Sequence, residues 1–261
     1  MKPDDEYVDW LFGAIRLWFT RCASLQGMRD NKPILLLPTK EHFPASDANM
    51  AETCLDLFDL VIAYAGFADI PVKMVLDDSF ELENTLLHLG AADVPRLSES
   101  PDNEPKEIPD HAPREVVITV DDLVAPTVFV ATVARDLSHY AMPESNELPG
   151  GDSLRPAYID IGAVCLGFGI FLANGLAASR RFDQRGERRN PGALDDHQLG
   201  YALALFTLIF GIPARLVKKH LQANAWSGFK KGLRHLKKHH SREIEALRHV
   251  ELSPSPESPY R

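Results

Sequence analysis

The chain has 261 residues, 45% of them apolar and 25% charged, with a formal charge of −9. That composition supplies a substantial core and excludes wholesale disorder, a collagen-like rod and a continuous coiled coil. The acidic total also argues against a simple nucleic-acid-binding protein, but it is an average: residues 215–249 hold ten Lys and Arg against two Glu, a local +8, which leaves −17 for the remainder.

The acidic start, Met1 to Glu6, has no positive n-region, so a secretory signal is not expected. Val8, Leu11, Phe12, Ile15, Trp18, Phe19 and Cys22 then recur at helical spacing and predict an amphipathic helix. Ile34 to Leu37, an apolar run closed by Pro38, reads as a buried strand. A second helix is expected from about Met50 to Gly66, a strand over Val72 to Leu76 and a short helix over Phe80 to Leu89. Residues 98–115 carry four prolines and six acidic residues against two basic ones, the composition of a linker. Beyond it, Val116 to Val120 reads as a strand, and Asp121 and Asp122 as caps for a helix from about Thr127 to Met142.

Ile161 to Ala178 contains no charge, and Leu199 to Ile212 is almost as apolar. A transmembrane hairpin is the rival reading, with Arg180, Arg181, Arg185, Arg188 and Arg189 as its positive loop. The glycines and Asn174 of the first run, and Gly211 and Pro213 in the second, favour buried core helices, so membrane insertion is not expected. From Val217 onward Phe229, Leu233, Leu236, Ile244 and Leu247 form one stripe of a strong helix pattern, and the Ser/Pro-rich end at 251–261 reads as a disordered tail. Cys22, Cys54 and Cys165 lie far apart without metal-ligand spacing, as befits reduced thiols in a cytoplasmic protein. The expected class is α+β, predominantly α: a small N-terminal α/β portion over 1–97, the linker at 98–115 and a helical portion over 116–250.

The chemically suggestive stretch is Ala131 to Tyr140. In an H-E-x-x-H helix, two histidines four residues apart hold zinc and the Glu between them activates its water. Here those positions read Arg135, Asp136 and His139, so the spacing remains while one ligand is lost and the acid is shortened. Arginine is permanently cationic and cannot ligate.

Leu37-Pro38-Thr39 with Phe43-Pro44, the Ala/Thr-containing helix carrying the motif, and Gly167-Phe168-Gly169-Ile170-Phe171-Leu172-Ala173-Asn174 resemble a family of bacterial zincin-like proteins, predicted metal-dependent hydrolases. The likeness runs from about Pro33 to Leu247 and implies a zincin-like helical core. It implies too a third ligand on the next helix, a Glu with an Asp four residues on; Asp160 fits the second position, but Pro156 stands at the first. Three readings follow. Arg135 fills the vacated metal position and pairs with Asp160, with Asp136 as a further partner, leaving a non-catalytic pseudo-hydrolase that acts by binding or regulation. Alternatively His139 and Asp160 hold zinc weakly, with Asp136 as a shortened general base; zinc is the one cofactor this admits, and none is expected otherwise. The bland alternative puts Arg135 and Asp136 on a solvated face and makes His139 a hydrogen-bonded core residue.

Lys218, Lys219, Lys230, Lys231, Arg234, Lys237, Lys238 and Arg242 form a cationic surface interleaved with His220, His235, His239 and His240. Its occupant would be the acidic remainder of the chain, a protein or other anionic partner, a nucleic acid, or a membrane surface.

Overall fold

The computed structural model describes residues 5–22, 34–44, 50–76, 113–119, 122–123, 125–142, 148–182 and 192–249. The expected helix at 80–89, the linker up to residue 112, the arginines between 185 and 189, Asp121 and the tail lie outside them. The fold is α+β and predominantly α. Helix α1 (Asp5–Cys22) is followed by α2 (Met50–Tyr64), strand β1 (Val72–Leu76), strand β2 (Arg114–Ile118) and α3 (Pro126–Ala141). Then come α4 (Gly151–Ala163), a π-helical turn (Val164–Phe168), α5 (Gly169–Phe182), α6 (Asp196–Ile209), α7 (Ala214–Lys218), α8 (Ala223–His239) and α9 (Ser241–Arg248).

The periodic apolar residues do what their spacing demands. Val8, Leu11, Ile15, Trp18 and Phe19 of α1 are buried, and they share one core with Val133, Ala134 and Leu137 of α3 and with nearly every residue of Ile161 to Ala173. Strands β1 and β2 pair in parallel, Val72 opposite Arg114 and Leu76 opposite Ile118, so β2 opens inside the stretch read as linker. Arg114 Nη1 donates to the Tyr140 carbonyl at 3.0 Å and the Tyr140 hydroxyl donates to the Glu115 carbonyl at 2.6 Å, which ties the end of α3 to the sheet.

Four sequence expectations are corrected. Ile34 to Leu37 is not a strand: its residues are irregular, and Leu36 N–H donates to the Gly167 carbonyl at 3.0 Å. That carbonyl is offered because the long apolar helix breaks at Gly167, where φ is +99° and a side chain would collide with the Ile34 carbonyl. Gly-Phe-Gly is thus a packing joint. Asp122 does not cap α3, whose N-cap position is Ala125; its carboxylate instead accepts from Thr119 N–H and from the hydroxyls of Thr119 and Thr132. The helix expected from Val217 is three helices, interrupted at His240 and at residues 219–222, where Asn174 donates to the His220 carbonyl and accepts from Gln222 N–H. The pattern read as Leu199 to Ile212 is α6, which starts three residues earlier because Asp195 and Gln198 close a reciprocal cap at its N-terminus.

Among the described residues one stretch, Gly151–Gly175, is long and apolar enough to cross a membrane, and 89% of its apolar window is buried inside the protein. Helix α8 lies along α6 at backbone contact. A Cβ on Gly200 would come within 2.6 Å of the Ala225 carbonyl oxygen, one on Gly228 within 2.8 Å of the His197 backbone and one on Gly232 within 2.8 Å of the Tyr201 ring.

Candidate functional site

Arg135 projects from the third turn of α3 and Asp160 from the last turn of α4, helices that cross where Ser138 donates to the Ile159 carbonyl at 2.8 Å. The crossing is close because position 162 is glycine: a Cβ there would collide with Ser138 Oγ and press on the Trp18 ring. This contact brings the two charges together. Arg135 Nε donates to Asp160 Oδ1 at 2.7 Å, and the Asp160 side chain is 1% exposed against 21% for Arg135.

The second carboxylate oxygen is equally committed. Asp160 Oδ2 accepts from the backbone N–H groups of Ala193 and Leu194 at 2.8 and 3.0 Å. Gly192 precedes them at φ +139°, and a Cβ there would lie 2.9 Å from Oδ2, so a side chain would crowd the carboxylate. The loop then enters α6 through Asp195, which accepts from His197 and Gln198 N–H while Gln198 accepts from Asp195 N–H. On the other side lies Tyr7, whose hydroxyl donates to the Gln198 carbonyl at 3.0 Å. Burial first, then the charges of Asp195 and Asp160 and the neighbouring Tyr201, push that hydroxyl well above the usual phenol range.

His139 does not join this cluster. It lies exposed one turn beyond Arg135, its ring stacked on Tyr140 at 5.7 Å, and is not the hydrogen-bonded core residue of the bland reading. Partial withdrawal from water, then the guanidiniums of Arg155 and Arg135, hold its pKa below the ordinary 6.5. Asp136 is half-buried and acts electrostatically on Tyr140. Arg155 went unnoticed in the sequence; it precedes Pro156, the position where the resemblance would place a ligating Glu.

A zinc ion does not fit these residues. Both oxygens of Asp160 already have donors, one of them the Arg135 guanidinium, and the His139 imidazole faces that same cation and Arg155, a positive field to which an added dication would be a third contributor. Among the described residues no three His, Cys, Asp or Glu side chains are grouped so as to hold an ion. What the arrangement can do chemically is fix a carboxylate and position the entrance to α6. No family model matches the chain, and neither a curated protein nor a solved structure matches it.

The eight basic residues expected to form a cationic surface lie exposed on α7, α8, α9 and the turn after α7, away from the Arg135–Asp160 pair in sequence and in solvent access. His235 is hydrogen-bonded through Nδ1 to the Tyr201 hydroxyl at 2.6 Å, with the rings of His239 and His240 at 4.9 and 5.3 Å from its own.

Proposed function

We propose that the chain is a non-catalytic, zincin-like protein of the cytoplasm, a pseudo-metallohydrolase in which the Arg135 guanidinium takes the place of the metal ion and which acts by binding or regulation. The supporting observation is the 2.7 Å contact between Arg135 and a fully buried Asp160 whose other oxygen accepts two backbone N–H groups. A buried carboxylate needs a compensating charge, and in a zinc site the ion helps to supply it. A fixed guanidinium does so here without an open coordination position. The resemblance in Leu37-Pro38-Thr39 and in the Gly167 to Asn174 stretch supports the zincin-like descent.

Metal analysis of the purified full chain and of His139→Ala tests this reading. Zinc well below one ion per chain, unchanged by the substitution, is expected. Stoichiometric zinc that disappears in His139→Ala would overturn it and install His139 and Asp160 as ligands, with Asp136 as general base.

A further inference from the structure

Helix α8 carries a second kind of chemistry. Its buried residues, Ala225, Gly228, Phe229, Gly232 and Leu236, all face the protein, and Lys230, Lys231, Arg234, Lys237 and Lys238 are all exposed. At about 100° per residue, Lys230 and Lys237 fall on one flank of the exposed face and Lys231 and Lys238 on the other, with Arg234 midway between them on the crest. Each flank pair is about 10 Å apart along the axis, and the two flanks are separated by about one lysine reach on either side of a helix 10–12 Å wide. None of the five makes an ion pair among the described residues, and the sequence from 214 to 242 contains no Asp or Glu.

We propose that this ridge docks into the major groove of B-form duplex DNA, its flanking lysines contacting the phosphates of the two strands and Arg234 pointing to the groove floor. The groove, about 12 Å wide, admits one α-helix and is bordered by two rows of negative charge, which matches two rails of cations with a central arginine. The backbone-level contact of Gly200, Gly228 and Gly232 holds the ridge rigid, so little ordering entropy is lost on docking. A membrane surface suits it less well. Helices that lie in the interface insert large apolar side chains, and those of α8 are buried or, for Trp226 and Leu233, half-buried against the core. Duplex RNA is disfavoured because its major groove is too narrow and deep for a helix. The net charge of −9 does not prevent docking, since at physiological salt charges farther than about 8 Å from the phosphates are screened.

The test is fluorescence anisotropy of the full chain with a labelled 20-base-pair DNA duplex, across salt, alongside the same-length RNA duplex and phosphatidylserine vesicles. Four phosphate contacts predict a log–log salt slope of about −3.6 and an affinity loss of about 150-fold between 50 and 200 mM salt. The variant Lys230→Gln/Lys231→Gln/Lys237→Gln/Lys238→Gln should lose at least about 100-fold at 50 mM salt and bring the slope close to zero, and each single Gln variant should reduce it by about 1. The single variants keep the test decisive should the quadruple one fold poorly. Absence of DNA binding at 50 mM salt, equal binding by RNA duplex or by vesicles, or a slope unmoved by the lysine substitutions would each overturn the proposal.

Discussion

Two arginine-bearing regions of this molecule treat charge in opposite ways. Between α3 and α4, Arg135 is held against a carboxylate that water hardly reaches, and each oxygen of that carboxylate has a donor inside the protein. Along α8, Arg234 and four lysines stand in water with no acidic residue on their helix. A charge answered internally contributes to folding and offers little to a partner; a charge left in solvent contributes little to folding and keeps its field for what approaches. Substitutions should therefore separate the regions cleanly, and the expected effects can be ranked.

The largest belongs to Asp160→Ala. It strands Arg135 and leaves two backbone N–H groups of the loop before α6 without acceptors, a loss of about 5 kcal/mol in urea unfolding. Arg135→Ala leaves the carboxylate its two backbone donors and should cost less, about 3 kcal/mol, and a double-mutant cycle should return a coupling of about 1 kcal/mol or more. Independent, additive losses would break the contrast at its buried end. At the exposed end, each Lys→Gln on the ridge should move stability by no more than about 0.5 kcal/mol.

Gly228→Ala probes the mounting of the ridge. Its Cβ would press on the His197 backbone, and the repacking should cost about 2 kcal/mol in thermal unfolding. Asp195→Ala removes the cap of α6 just beyond the two N–H groups that Asp160 holds, with an expected cost of about 1 kcal/mol.

The smallest effect is a pH slope at His139. Because its folded pKa lies below 6.5, the unfolded chain takes up the proton first. Stability from this group is whole above about pH 6.5 and is lost as the pH falls through the window down to the folded value. His139→Gln should flatten that part of a stability profile recorded from about pH 5 to 7.5; a profile identical to that of the parent chain would mean that neither burial nor the cations near His139 act on it.

These contrasts also explain what could be read from residues alone. The helices were legible because burial imposes their period: Val8 to Phe19 and the α3 face are buried where the spacing puts them. The partnership of Arg135 with Asp160 was legible from charge, since an acid inside an apolar helix demands a cation. The other donors to Asp160 were not, because Ala193 and Leu194 contribute backbone N–H groups that no side chain announces, and only the Pro191-Gly192 turn marks the place. Arg155 was missed because its approach to His139 depends on how α3 and α4 cross. Ile34 to Leu37 misled for a related reason: an apolar run bounded by prolines resembles a buried strand, but the backbone partner it finds is a carbonyl released by the kink at Gly167.

The parallel pairing of β1 with β2 has a consequence for how the molecule assembles. Val72 meets Arg114, so the pair cannot form until an intervening chain of about forty residues has closed on itself, and that closure costs entropy before any ladder bond repays it. Helices α3 to α6 follow one another closely along the chain and can dock through short-range contacts. In a refolding experiment followed by hydrogen exchange, protection should reach α3 to α6 first and the strand pair last, making the sheet the clasp that closes an already formed helical core.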